Sequence, residues 1–101
     1  MLIEKFIDYL QIEKNYSSNT LTAYKKDLIE FNNFINENFD KYPIEHAEYK
    51  GIRLWIVELV NKNLSNRSIN RKVSSLKSFY KFLVKTDTIG SSPLLAHSPL
   101  K

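Results

Sequence analysis

The segment from Asn61 to Thr86 constrains the fold most, because its apolar residues recur at the spacing of one helical face. A helix would carry five of them on the same side: Ile69, Val73, Leu76, Tyr80 and Leu83. The whole chain of 101 residues contains only two glycines and three prolines. Apolar residues elsewhere also repeat at helical rather than alternating spacing, so the sequence predicts an all-α protein.

The same segment has an unusual charge. It holds seven basic residues and no Asp or Glu, whereas the other eight basic residues of the chain are outnumbered by 11 acidic ones. The formal net charge of +4 is therefore a property of this segment alone. An exposed helix usually mixes charges of both signs. The absence of acid indicates a polyanionic partner, with nucleic acid as the preferred candidate.

The side of this helix opposite the apolar stripe is polar and cationic. Ser74 and Ser78 are small enough to let the helix axis approach a phosphate backbone, and their hydroxyls can donate hydrogen bonds to it. With Lys77 on the flank, the residues expected on this side are Arg67, Asn70, Arg71, Ser74, Ser78, Lys81 and Lys85. A merely solvated basic face is the alternative explanation of the pattern.

Start and stop signals divide the chain into four helices and a tail. We expect helices at about 2–14, 18–38, 46–62 and 66–86, with Ser17 and Ser65 as the N-caps of the second and fourth. The third is apolar over most of its circumference, which predicts a helix enclosed by the others. Residues 1–88 would form the domain. Residues 89–101 contain glycine, prolines and serines, as a linker toward an absent catalytic domain would.

An internal similarity relates the two capped helices. A shift of 48 residues places the first of them on the second, with matching apolar positions at Leu21 and Ile69 and at Leu28 and Leu76. One copy of each is weak evidence for duplication, since amphipathic helices resemble one another. The similarity indicates only that the two helices play parallel roles.

Composition excludes several classes of site. Cysteine is absent, which rules out disulfides, zinc–thiolate sites and thiol nucleophiles and fits a reducing cytoplasm. The N-terminus has no signal-peptide pattern, and the apolar patch from Leu54 to Val60 is too short to span a bilayer. No cofactor motif stands out. We expect a cytoplasmic protein without cofactor, metal, membrane partner or small-molecule substrate.

Two segments carry a family resemblance. They read SSNTLTAYKKDLIEF (17–31) and LSNRSINRKVSSLKSFYKFL (64–83). Together they resemble the N-terminal core-binding domain of tyrosine recombinases, of the Xer-like and phage integrase type. The resemblance implies a compact, SAM-like orthogonal bundle of four helices. It also implies that this domain forms one half of a C-shaped clamp around double-stranded DNA, while a catalytic domain closes the other half.

By this resemblance the second and fourth helices cross near a major groove. Thr20 and Ser68 follow mainly from the resemblance, although both lie in a first helical turn, where backbone N–H groups favour phosphate. The wheel and the resemblance together predict these DNA contacts: Asn19, Thr20, Thr22, Lys25, Lys26, Arg67, Ser68, Asn70, Arg71, Ser74, Lys77, Ser78 and Lys81. Other recombinase protomers on the DNA are expected as further partners.

The chain lacks a recognisable catalytic set. Tyrosine recombinases attack a phosphodiester with a tyrosine, while basic residues stabilise the phosphate and move protons. Here only three arginines occur, and neither His46 nor His97 is followed by arginine three residues later. Tyr80 lies on the apolar stripe and is predicted to be a core residue. We expect that this chain does not cleave DNA by itself and that its parent is a tyrosine recombinase.

One alternative remains open at this point. A helical protein-interaction module could use the same basic face for an acidic partner. Such a module is expected to expose an apolar patch for its partner. Ile3 and Ile7 of the first helix could form a small patch of this kind.

Overall fold

The computed structural model describes residues 2–39 and 43–100, and within these ranges the chain is helical. Its elements are α1 (Leu2–Ile12), α2 (Ser18–Asn38), a 3-10 helix (Ile44–His46), α3 (Tyr49–Asn61) and α4 (Asn66–Lys85). The described ranges contain no strand, and the all-α prediction is confirmed. The radius of gyration of 13.1 Å is that of a compact domain of this length.

Two helices begin in the same way. The hydroxyl oxygen of Ser17 accepts a hydrogen bond from the backbone N–H of Thr20 at 3.2 Å. The hydroxyl oxygen of Ser65 accepts one from the N–H of Ser68 at 3.1 Å. Each cap satisfies a donor that the first helical turn leaves unpaired. Both predicted N-caps are confirmed, and they set the residue at which α2 and α4 start.

The helix α4 is central to the core: like α2, it contacts the other three helices, and eight of its residues are buried. Its predicted apolar stripe is at most 4% exposed, which confirms that stripe. Phe6 of α1 packs edge-on against Phe79 of α4, with ring centroids 5.5 Å apart. Burying side chains of this size stabilises the fold by about 1.5–3 kcal/mol each. Because this stripe points inward, the polar and cationic side of α4 must point outward.

The third helix differs from its prediction in where it begins. It starts at Tyr49 rather than His46, because residues 44–46 form a 3-10 helix that is followed by two residues of extended backbone. Ile44 explains the break. Its side chain is buried, and its carbonyl oxygen accepts a hydrogen bond from the hydroxyl of Tyr80 at 2.6 Å.

The predicted enclosure of α3 is wrong. Leu54, Val57 and Val60 are 43%, 50% and 48% exposed. The helix packs on α2 and α4 with one face only, which carries Trp55 and Leu59. Nothing in the described part of the chain covers the opposite face, so its apolar residues form an exposed strip.

The suggested apolar patch on α1 is also wrong. Ile3 is 1% exposed and belongs to the core, together with Phe6 and Leu10, while Ile7 is half-buried. The inner face of α1 is centred on Phe6, whose ring contacts those of Phe79 and Phe82. Packing around that ring turns the helix so that Ile3 points inward.

The residues after α4 fold back onto the bundle. Leu94 is 3% exposed. The side-chain amide of Asn70 donates to the carbonyl oxygen of Leu100 at 2.8 Å and accepts from its backbone N–H at 2.9 Å. The hydroxyl of Tyr49 and Nδ1 of His97 share a hydrogen bond of 2.9 Å. The division at residue 88 into domain and linker stays a prediction, and its last residue, Lys101, lies outside the described residues.

Candidate nucleic-acid interface

None of the predicted DNA-contacting side chains is buried. Nine are exposed: Asn19, Thr22, Lys25, Lys26, Arg67, Arg71, Ser74, Lys77 and Lys81. Four are half-buried: Thr20, Ser68, Asn70 and Ser78. None of the thirteen is therefore sealed in the core, their contacts with DNA stay a prediction, and several of them already have partners within the chain.

The first turns of α2 and α4 are similar in their polar groups. The Thr20 hydroxyl lies 3.0 Å from that of Ser17, and the Ser65 hydroxyl donates to that of Ser68 at 3.1 Å. Thr22 donates its hydroxyl to a backbone carbonyl of the same helix at 2.9 Å. Neither first turn contains an acidic residue. The positive ends of both helix dipoles are thus left open to an anion.

A buried carboxylate joins α2 to α4. Asp27 of α2 is 1% exposed and is bound by three side chains of α4. Arg71 donates from Nη1 to Oδ2 at 2.7 Å and from Nη2 to Oδ1 at 3.4 Å. Lys72 donates to Oδ1 at 3.2 Å, and the Ser75 hydroxyl donates to Oδ2 at 2.8 Å. Four hydrogen bonds from side chains of α4 therefore satisfy this carboxylate.

A second acid completes the arrangement. Glu30, one turn after Asp27, accepts a hydrogen bond from Nζ of Lys72 at 2.8 Å, and the Lys72 side chain is only 10% exposed. We call Asp27, Glu30, Arg71, Lys72 and Ser75 the ion cluster. The acids that are missing from α4 are thus supplied by α2. Two of the seven cations in the segment, Arg71 and Lys72, are thus balanced by acids of α2.

The sequence contained a signal for this cluster that the helical wheel of α4 could not reveal. Asp27 lies three residues after Tyr24 and four before Phe31, so that it shares the inward side of α2 with apolar residues. A charge at such a position must find a partner, since burying it unpaired is very costly. The identity of that partner depends on how α2 and α4 cross, which local patterns do not specify.

Five exposed cations of the predicted interface form no ion pair within the described residues. Lys25 and Lys26 lie on α2, and Arg67, Lys77 and Lys81 lie on α4. We call these five residues the free cations. Lys62 differs from them because it lies 3.8 Å from Glu58. Lys85 also differs, because it lies over the ring of Tyr9 at 5.1 Å.

The tail borders one edge of this surface. Besides its two hydrogen bonds to Asn70, it forms a small pocket of about 90 Å³ in which Leu94 and His97 face Ser74 and Lys77. Burial lowers the pKa of His97, and the charge of Lys77 lowers it further. Because the side-chain amide of Asn70 both donates to and accepts from the backbone of Leu100, Asn70 could contact a base only after these two hydrogen bonds break.

Tyr80 is a core residue, as predicted. It is 0% exposed, and its hydroxyl donates to a backbone carbonyl. Burial raises its pKa far above the ordinary tyrosine value, and the charge of Glu45 adds to the rise. A nucleophilic tyrosine requires access to its target and easy loss of its proton, and Tyr80 has neither.

The described residues offer no candidate for a metal site or a membrane span. Within residues 2–39 and 43–100, no group of three or more His, Asp or Glu side chains could hold a metal ion. Among the helices described, none has both the length and the apolar character needed to cross a bilayer.

The sequence of this all-α domain also matches a known family. The sequence profile of the family described as phage integrase, N-terminal SAM-like domain, matches residues 3–87. The chain belongs to this family. The resemblance recognised in residues 17–31 and 64–83 is thereby confirmed.

Curated relatives narrow the class to Xer-like tyrosine recombinases. The tyrosine recombinase XerC of Anoxybacillus flavithermus is 45% identical over 97 residues, covering 95% of this chain and 32% of the relative. XerC of Listeria monocytogenes serotype 4a is 41% identical over 93 residues, covering 91% of this chain and 30% of the relative. XerC of Bacillus subtilis is 39% identical over 99 residues, covering 96% and 32%. The chain spans about a third of the length of these curated relatives. No solved structure matches it.

Proposed function

We propose that this domain binds double-stranded DNA through the outer faces of α2 and α4 and thereby holds a site-specific tyrosine recombinase on its recombination site. One observation carries the proposal. Two adjacent helices expose five cations that have no acidic partner in the described ranges, and the first turn of each helix contains no acid. Such a surface favours a polyanion over a partner without negative charge. Membership of the family favours DNA as that polyanion.

The free cations would supply most of the affinity. Contacts of Lys and Arg to phosphates position a protein on the duplex without reading its sequence. The open helix N-termini at Asn19 and Arg67 would add backbone donors to the same phosphates. Base reading in the major groove would come from the α4 face, where Arg71 offers planar donors to a guanine edge. By itself the domain should bind weakly, at about 10⁻⁴ to 10⁻⁶ M near physiological salt.

The domain would contribute position rather than chemistry. We propose that the parent is a tyrosine recombinase, that its catalytic residues lie outside this chain, and that residues 89–101 lead toward them. Its catalytic domain would close the clamp on the other side of the DNA. Neighbouring protomers on the same DNA are the further partners that we propose, and the exposed α3 strip of Leu54, Val57 and Val60 offers them an apolar surface.

A salt titration tests the proposal. Fluorescence anisotropy of a labelled mixed-sequence duplex would be measured with the 101-residue chain between about 50 and 200 mM salt. If the free cations neutralise about five phosphates, log affinity should fall with log salt at a slope near −4.5. A slope near zero, or no binding at the low end of the range, would overturn the proposal.

A competition experiment separates DNA from an acidic protein partner. Excess polyglutamate offers charge without the regular phosphate spacing of a duplex. If the surface is built for DNA, polyglutamate should displace the duplex only at a large excess of charge. Equal competition per unit charge would instead favour an interaction module for acidic proteins.

A further inference from the structure

The ion cluster places an arginine at the edge of the proposed DNA surface with its guanidinium held in one orientation. The Arg71 side chain is 51% exposed, whereas the Asp27 side chain that binds it is 1% exposed. Both terminal nitrogens of Arg71 contact the two carboxylate oxygens, at 2.7 and 3.4 Å. A guanidinium is planar, so fixing two of its nitrogens fixes the directions of its remaining N–H groups. Those groups face away from the carboxylate.

The carboxylate is itself held by further hydrogen bonds. It also accepts hydrogen bonds from Ser75 at 2.8 Å and Lys72 at 3.2 Å, and all three of its partners come from α4. Because Asp27 lies on α2, the same contacts fix the crossing of the two helices that carry the free cations. The two acids and two bases of the cluster cancel in charge. Arg71 therefore adds little net charge to the surface and differs in this respect from Lys77 or Arg67.

We propose that Asp27 is a positioning residue for DNA binding: from beneath the surface it holds the Arg71 guanidinium ready to contact a phosphate or a guanine edge of double-stranded DNA. The inference rests on the proposed DNA-binding function and deepens it. Preorganised donors bind more tightly because less freedom is lost on association. A buried acid thus assists the binding of a polyanion that its charge alone would repel.

The sign of one mutational effect tests this directly. Asp27→Asn keeps the shape of the side chain, removes one negative charge close to the DNA and leaves only one oxygen to accept the guanidinium. If charge alone mattered, the variant would bind DNA more tightly. If Asp27 positions Arg71, the variant should bind about tenfold more weakly, as expected for loss of one bidentate contact. Affinity equal to or tighter than that of the unaltered chain would overturn the inference.

Glu30→Gln is the matched control. It removes the same charge from the same cluster, but Glu30 contacts Lys72 and not Arg71. We expect unchanged or slightly tighter DNA binding from this variant. If Glu30→Gln weakens binding as much as Asp27→Asn does, the effect belongs to the cluster as a whole and the assignment to Arg71 is overturned.

A double-mutant cycle separates positioning from a purely structural role. In an Arg71→Ala background, Asp27→Asn should cause no further loss of affinity, since there is no guanidinium left to orient. Equal losses in both backgrounds would mean that Asp27 only stabilises the fold, which would overturn the inference. Circular dichroism would establish that each variant is helical at the assay temperature.

Arg71→Lys keeps the test decisive even if Asp27→Asn unfolds. Lysine retains the charge but cannot form the planar fork. Positioning predicts that Arg71→Lys loses nearly as much affinity as Arg71→Ala, and retention of the original affinity would overturn it. Failure of the proposed function would look different, because the unaltered chain would then show no salt-dependent DNA binding.

Discussion

The helices α2 and α4 begin alike and diverge in their middle turns. Asn15 and Asn63 both have positive φ angles, 54° and 65°, and each lies two residues before a serine cap. The 48-residue shift seen in the sequence therefore corresponds to a repeated backbone device. This repeated start can be recognised in the sequence because it depends on neighbouring residues only: an asparagine tolerates the left-handed conformation, and a serine caps the next helix.

The middle turns of the two helices carry opposite charges. Asp27 and Glu30 of α2 meet Arg71 and Lys72 of α4, so that the two helices bind each other through these opposite charges. The comparison shows that the net charge counted along a segment of sequence overstates the charge available to a partner, because some of its cations are already paired within the fold. We infer that Lys72 serves the fold and the free cations serve DNA, whereas Arg71, half-exposed on top of its buried acid, does both.

The largest expected effect comes from breaking the ion cluster. Asp27→Ala would leave Arg71 without its acid and Lys72 with only Glu30, and removing one member of a buried pair costs about 3 kcal/mol or more. Urea unfolding followed by circular dichroism measures the loss. Asp8→Ala on the exposed side of α1 is the control and should change stability by less than about 0.5 kcal/mol. A loss below about 1 kcal/mol for Asp27→Ala would contradict a stabilising role of the cluster.

The serine caps should contribute equally. Ser17→Ala and Ser65→Ala are each expected to lower the free energy of unfolding by about 1 kcal/mol, because each exposes one backbone N–H of a first turn. The same unfolding assay applies. Markedly unequal losses would show that the two helix starts, despite their matching geometry, are not energetically equivalent.

The tail contacts only α3 and α4 in the interactions described, and Asn70→Ala tests how firmly it is docked. The variant removes two hydrogen bonds to Leu100. We expect the bonds after residue 90 to be cleaved several-fold faster by an unspecific protease, while global stability falls by only about 1 kcal/mol. Ser78→Ala lies outside the tail contacts and serves as the control. Unchanged cleavage would mean that Asn70 does not hold the tail.

The smallest effect should be the pH dependence of tail docking. The pKa of His97 is lowered by burial and by Lys77, so the docked tail favours the neutral ring. Docking is thus strongest above the ordinary histidine pKa of about 6.5 and weakens as pH falls below it. An NMR titration should find His97 below that value, and Lys77→Gln should raise it. Titration of His97 at or above about 6.5 would contradict this.

Local signals and non-local contacts differ in how far they could be predicted. The caps at Ser17 and Ser65 and the α4 stripe depend on neighbouring residues, so the sequence was sufficient to predict them. The exposed side of α3 was missed, because Leu54 and Val57 are apolar and only the arrangement of the other helices leaves them uncovered. Contacts such as Asp27 with Arg71, or Asn70 with Leu100, join residues 44 and 30 positions apart. No periodic pattern encodes such pairs.

The division between paired and free cations can be tested by one comparison of salt slopes. DNA affinity would be measured against salt for Lys72→Ala and for the double variant Arg67→Ala with Lys77→Ala. Losing two phosphate contacts should make the slope shallower by about 1.8 in the double variant without loss of stability. Lys72→Ala should lower stability and leave the slope unchanged. If Lys72→Ala also makes the slope shallower, or the double variant does not, the account is contradicted.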